Sequence, residues 1–92
     1  MSSMRIMNPR LRWFVRQMQY KLRQNTDKTD ARELEFIDLY RLLRGEVNEL
    51  KLDLEDKIND GYVRDAIIEE CADVANYAMM IADKVKNLKG RP

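Results

Sequence analysis

Apolar residues recur with helical spacing in three stretches of this chain, separated by polar, turn-forming runs. In the first stretch Leu11, Phe14, Val15, Met18 and Leu22 return every three or four positions, the repeat of one helix face. Asn8 is placed to cap this helix, and Pro9 to open it, where a missing N–H costs nothing. A first helix over 8–24 follows. The run "RQNTDKTD", residues 23–30, has no periodicity and is rich in turn formers, so it reads as a loop.

Asp30 and Glu33 have the spacing of a capping-box variant and predict a second helix over 30–58. Phe36, Tyr40, Leu43, Val47, Leu50, Leu54 and Ile58 step by three or four and form its packing seam. Leu39 and Leu42 widen that face beyond a two-stranded stripe, so the helix is expected to meet more than one neighbour. "NDGY", residues 59–62, reads as the next turn, and a third helix over 62–87 precedes a basic tail, "KNLKGRP". Three helices with short connections imply an all-α, antiparallel helical bundle in a single domain spanning 1–92.

Length changes this picture. A chain of 92 residues buries only a modest share of its surface, and the broad apolar faces of helices two and three point to a homo-oligomer, dimer or tetramer. Oligomerisation would complete a four-helix-bundle-like core. No run of 18 or more uncharged apolar residues and no secretory signal pattern is found, so no membrane partner and a cytoplasmic location are expected.

Composition narrows the chemistry. The chain has no histidine and one cysteine, Cys71, which excludes an internal disulfide, a Ser-His or Cys-His catalytic pair and a zinc site of the usual Cys/His kind. Cys71 itself reads as a small buried hydrophobe. The net charge is +1, but residues 1–28 carry seven Lys or Arg against Asp27 alone, and the remainder is acidic. That division suits an anionic partner held beside cations or complementary helix packing. A bare nucleic-acid binder would more often be basic overall.

Acids stand where apolar residues are expected. "EECADVANYAMMIAD", residues 69–83, is among the most apolar stretches, yet it contains Glu69, Glu70, Asp73 and Asn76. On a helical wheel Glu70 and Asp73 share a side with Tyr77, opposite a stripe of small residues, Cys71, Ala75, Ala78 and Ala82, that would admit a neighbouring helix. On helix two Glu46, Glu49 and Asp53 lie within an arc of about 60°. Antiparallel pairing would set Glu46 and Glu49 opposite Glu70 and Asp73. Four converging carboxylates repel unless a divalent cation lies among them, and an all-oxygen donor set favours Mg²⁺ or Mn²⁺.

This ordered pattern, E-x-x-E in "EVNE" at 46–49 and E-x-x-D in "EECAD" at 69–73, resembles the MazG-like, all-α nucleoside triphosphate pyrophosphatase family, its short phage-type members above all. "EECADVANYAMMIAD" is similar to the family's third-helix signature, and "MQYKLRQNTDK" to the segment ahead of its first acid pair. The resemblance implies Mg²⁺-dependent cleavage of a (d)NTP substrate to the (d)NMP and pyrophosphate, a housekeeping activity on the nucleotide pool, with Mn²⁺ as a substitute. It implies Glu46, Glu49, Glu70 and Asp73 as metal ligands and Glu49 as the residue that orients or deprotonates the attacking water. Asn25 and Lys28 match an N-x-x-K and imply a phosphate contact. Asn76 implies a contact to sugar or base, or an outer-shell partner of the metal. Two departures stand out. Gly45 precedes Glu46 where the family often has a second glutamate, and no aromatic residue follows Lys28 before Phe36. Two other functions compete: a non-catalytic helical interaction module, and a nucleic-acid contact made by the basic first helix with Trp13 and Tyr20.

Overall fold

Asn8 does cap the first helix. Its Oδ1 accepts the Arg10 N–H at 2.8 Å and its carbonyl accepts the Arg12 N–H at 3.0 Å, satisfying two donors that a helix start leaves open. In the computed structural model, which describes residues 7–24, 33–56 and 64–88, three helices follow: α1 Pro9–Gln24, α2 Phe36–Asp56 and α3 Arg64–Lys86. The protein is all-α, with its three helices packed together. None of these helices is long and apolar enough to cross a membrane.

α2 starts later than the spacing of Asp30 and Glu33 implies. Glu33 lies outside the helix, and the first turn is closed by the Glu35 carbonyl, which accepts the N–H groups of Asp38 at 3.0 Å and Leu39 at 3.1 Å. The carboxylate favoured by the positive end of the helix is therefore that of Asp38, in the first turn. Asp30, Ile58 and the expected turn at 59–62 lie outside the described residues. At its other end α3 closes on Asn87, whose side-chain Nδ2 donates to the Asp83 carbonyl at 2.8 Å while its backbone N–H reaches the same oxygen at 3.1 Å.

α3 is the central element, and both α1 and α2 pack against it. Contacts along α2 and α3 run in opposite order. The Lys84 ammonium lies 5.2 Å from the centre of the Phe36 ring, Tyr77 lies near Glu46, and Glu70 lies near Asp53. The two helices are therefore antiparallel, the orientation that lets the acid pairs meet.

The face of α2 turned towards α3 is rotated from the apolar ladder of the sequence. Leu39 is buried and Leu43 and Leu50 are half-buried, but the other inward positions are Glu46 and Asp53. Positions 39, 43, 46, 50 and 53 form the inner ridge. Phe36, Tyr40, Val47 and Leu54 remain exposed. Both ladders obey helical spacing, and the rotation that chooses between them is a property of the packed molecule rather than of the local pattern.

A second correction concerns α3. Its buried positions are Ala72 and Asn76, on the side that meets α1 through the Asn76–Met18 bond, whereas Ala78 and Ala82 of the small-residue stripe are exposed. Within one chain, close approach is made at Ala72. Among the described residues only Leu39, Ala72 and Asn76 are buried.

Candidate functional site

Acids occupy the α2–α3 seam because two ridge positions of α2, 46 and 53, are carboxylates and the antiparallel α3 presents Glu70 to them. One Glu70 oxygen, Oε1, is enclosed and has no hydrogen-bond partner among the described residues. Burial, first, pushes the Glu70 carboxyl up from its ordinary 4.5 to about 7. A side-chain hydrogen bond to Asp53, which only the protonated acid can donate, and the charges of Asp53, Glu49 and Glu46 push the same way. The Tyr77 phenol is also raised, by burial and then by Glu46 and Asp73, so it stands between the two helices' acids.

Asp73 faces a different neighbour. Lys21 of α1 reaches across α3, its Nζ 3.6 Å from Asp73 Oδ2 and 3.5 Å from Glu69 Oε1. Only 16% of the Lys21 side chain and 17% of the Asp73 side chain are exposed, so this pair is shielded from water, while Glu69 is open on one side. Burial alone would lower the lysine pKa, but the Asp73 and Glu69 charges outweigh it and the ammonium is held above its usual value. Next along α3, Asn76 Nδ2 donates to the Met18 carbonyl at 2.9 Å and ties α1 to α3. Its Oδ1 is enclosed with no partner among the described residues.

Four of the expected acids thus lie in one region, but not as one set. Glu46, Glu49 and Glu70 converge with Asp53, whereas Asp73 is drawn towards Lys21 and meets the others through Tyr77. Asp53, seven residues after Glu46 and on the same face, carries more of the site than spacing alone assigned to it. Lys21 likewise is a built part of it. Asn25 and Lys28 lie outside the described residues. Asn76 is placed in the α1–α3 contact, enclosed rather than open to a substrate.

As a donor set these residues fit a hard divalent cation: all are oxygen ligands, and Glu70 Oε1 is an enclosed acceptor with no donor among the described residues. As an assembled cage they do not yet close, because among the described residues no three acid or thiol groups stand close enough to share an ion. Cys71 offers no alternative ligand. Its half-buried thiol is pushed up by burial and then by the Glu70 charge, which keeps it protonated and unreactive. On the far side of Lys21, the exposed Trp13 and Tyr20 border an open groove of about 570 Å³ with Gln17, Arg64, Ile68 and Glu69.

The chain matches no protein-family model, no curated protein and no solved structure.

Proposed function

We propose that this protein is a divalent-cation-dependent hydrolase of nucleoside triphosphates, releasing the monophosphate and pyrophosphate. The observation that carries the reading is the Glu70 carboxyl set beside the acids of α2, with one oxygen, Oε1, enclosed and without a partner among the described residues. A fold that gathers four acids and buries one of them opposes its own electrostatics, and a cation relieves that opposition.

The acids of the α2–α3 seam, Glu46, Glu49, Asp53 and Glu70, are the oxygen donors that would bind Mg²⁺ or Mn²⁺, which requires them to draw closer together than they stand, while Asp73 stays with Lys21. A cation bound there neutralises phosphate charge and lowers the pKa of a bound water. The chain's own residues do the remainder. Glu49, exposed on the outer edge of the acid face, is open to water and is the residue assigned to orient and deprotonate the nucleophile. Lys21 fixes the Asp73 carboxylate and presents positive charge beside the acids. Asn25 and Lys28, in the segment between α1 and α2, are the proposed phosphate contacts.

The test is a panel of canonical, deoxy and modified triphosphates incubated with Mg²⁺ or Mn²⁺ and scored for monophosphate plus pyrophosphate. Turnover lost on chelation and on Glu70→Gln supports the reading. No turnover across the panel, together with no metal-induced rise in melting temperature, overturns it. One observation favours a second reading, a non-catalytic interaction module: α2 exposes Phe36, Tyr40, Val47 and Leu54 along one side. A module of that kind gains no stability from either cation.

A further inference from the structure

We infer that the outer face of α1 binds single-stranded nucleic acid, with phosphates along an arginine ridge and bases stacked on Trp13 and Tyr20. Packing uses the other side of this helix: Phe14 and Met18 are half-buried, the Met18 carbonyl is bonded to Asn76, and Lys21 is held by Glu69 and Asp73. At about 100° per residue, Arg12, Arg16 and Arg23 fall away from that side within an arc of about 40°. Arg16 and Arg23 are exposed and Arg12 is half-buried. Trp13 and Tyr20, 42% and 48% exposed, form the adjoining ridge. The Tyr20 hydroxyl accepts from Gln24 Nε2 at 2.9 Å, which steadies its ring.

Charge points to a polyanion. A soluble surface ordinarily mixes both signs, as α2 and α3 do. α1 carries five Lys or Arg and no Asp or Glu between Pro9 and Gln24. Lys21 is matched by acids of α3, while the arginine ridge lies on the helix's other side. A one-signed helix face interleaved with aromatic rings has the two parts of a strand-binding surface, cations for the backbone and flat faces for the bases.

The groove beside the rings favours a single strand over a duplex. Trp13, Gln17 and Tyr20 form one wall, and α3 contributes Arg64, Asp65 and Glu69 to the other. Asp65 and Glu69 repel phosphate, so the backbone is kept to the arginine side. With the Gln17 amide they suit the donor and acceptor edges of bases turned into the groove. Duplex bases are already stacked on one another and offer no free face, whereas those of a single strand do. Trp13 and Tyr20 stand seven residues apart, about 10 Å along the helix, and so take separate bases. This surface lies on the α1 side of α3, away from the acid seam with α2, and the inference does not rest on the hydrolase reading.

The full chain is titrated with a fluorescein-labelled single-stranded DNA of about 15 nucleotides, enough to span a site of this kind. Chelator is present throughout, so the outcome and that of the hydrolase assay are independent. Trp13 is the chain's one tryptophan, and quenching of its emission should track the rise in anisotropy. Affinity should fall with salt at a log–log slope of about 2 for three phosphate contacts, and Arg16→Gln should lower that slope by about 0.7. Trp13→Leu, with wild-type helix content by circular dichroism, should weaken binding roughly 10-fold, while Trp13→Phe, which restores a ring, keeps most of it. Absence of binding at low salt overturns the inference, as does equal affinity for a duplex of the same length. So does a Trp13→Phe variant as weak as Trp13→Leu, or an affinity that neither changes. Tryptophan emission that responds to anionic phospholipid vesicles and not to the oligonucleotide overturns it too, and gives the face to a membrane surface.

Discussion

Replacing Glu70 by glutamine, an uncharged side chain of the same shape, isolates the energetic consequence of gathering acids between α2 and α3. The fold favours the protonated form of Glu70, raised from 4.5 to about 7 by burial, by the hydrogen bond to Asp53 and by the surrounding charges. Its contribution to stability is therefore fully present below pH 4.5 and is lost as pH rises through about 7. At about 1.4 kcal/mol per pKa unit, that difference costs the folded state up to about 3 kcal/mol in mild alkali. Water reaching the half-buried side chain screens part of this, leaving about 1 to 2 kcal/mol. Glu70→Gln removes the titration. The expected result is that the variant and the wild type are equally stable near pH 4.5 and that the variant is more stable by about 1 to 2 kcal/mol at pH 8. Urea denaturation followed by helical circular dichroism, in chelator and at one protein concentration, measures the difference across that range. At pH 8, added Mg²⁺ or Mn²⁺ should then raise the wild type's midpoint and leave the variant's nearly unmoved. A variant less stable than the wild type at pH 8, by a margin constant across pH, would refute the account of Glu70.

Three further substitutions probe the parts around it. Lys21→Met removes the cation that lies between Glu69 and Asp73 and should cost about 1 to 2 kcal/mol in urea denaturation. A double cycle with Asp73→Asn should recover about half of that loss. Asn76→Ala deletes the buried amide bonded to the Met18 carbonyl and should lower stability by about 1 to 2 kcal/mol, read as a drop in thermal midpoint with helix content retained. Gly45→Ala should stabilise the chain by about 0.5 to 1 kcal/mol, because a Cβ at this helical position meets nothing within 4 Å. Loss of stability in that variant would show that the position is covered when the protein is assembled.

Much of the fold was legible in the sequence because helices are local. The Asn8–Pro9 start of α1 follows from its cap. The start of α2 departs from the local pattern: Asp30 and Glu33 have capping spacing, yet Glu35 is where the backbone bonds begin. The acid region was legible too: charges at 46, 49, 53 and 70 recur at spacings that share a face, and antiparallel pairing brings them together. What spacing did not reveal is how they divide. Asp53 rather than Asp73 stands against Glu70, since Lys21, from a helix more than fifty residues earlier in the chain, claims Asp73.

By itself, then, the sequence determined three helices, the lack of any histidine, and acids on one face of each of two helices. Those are consequences of periodicity and composition, which short-range geometry converts directly into structure. Only the tertiary structure decided which ladder of α2 turns inward, which acid meets which, and that Asn76 binds backbone. Each depends on the rotation of one helix against another. Two ridges of α2 fit helical spacing equally well, and the sum of contacts with α3, not any local preference, selected the one that carries Glu46 and Asp53 and left Val47 and its neighbours outside.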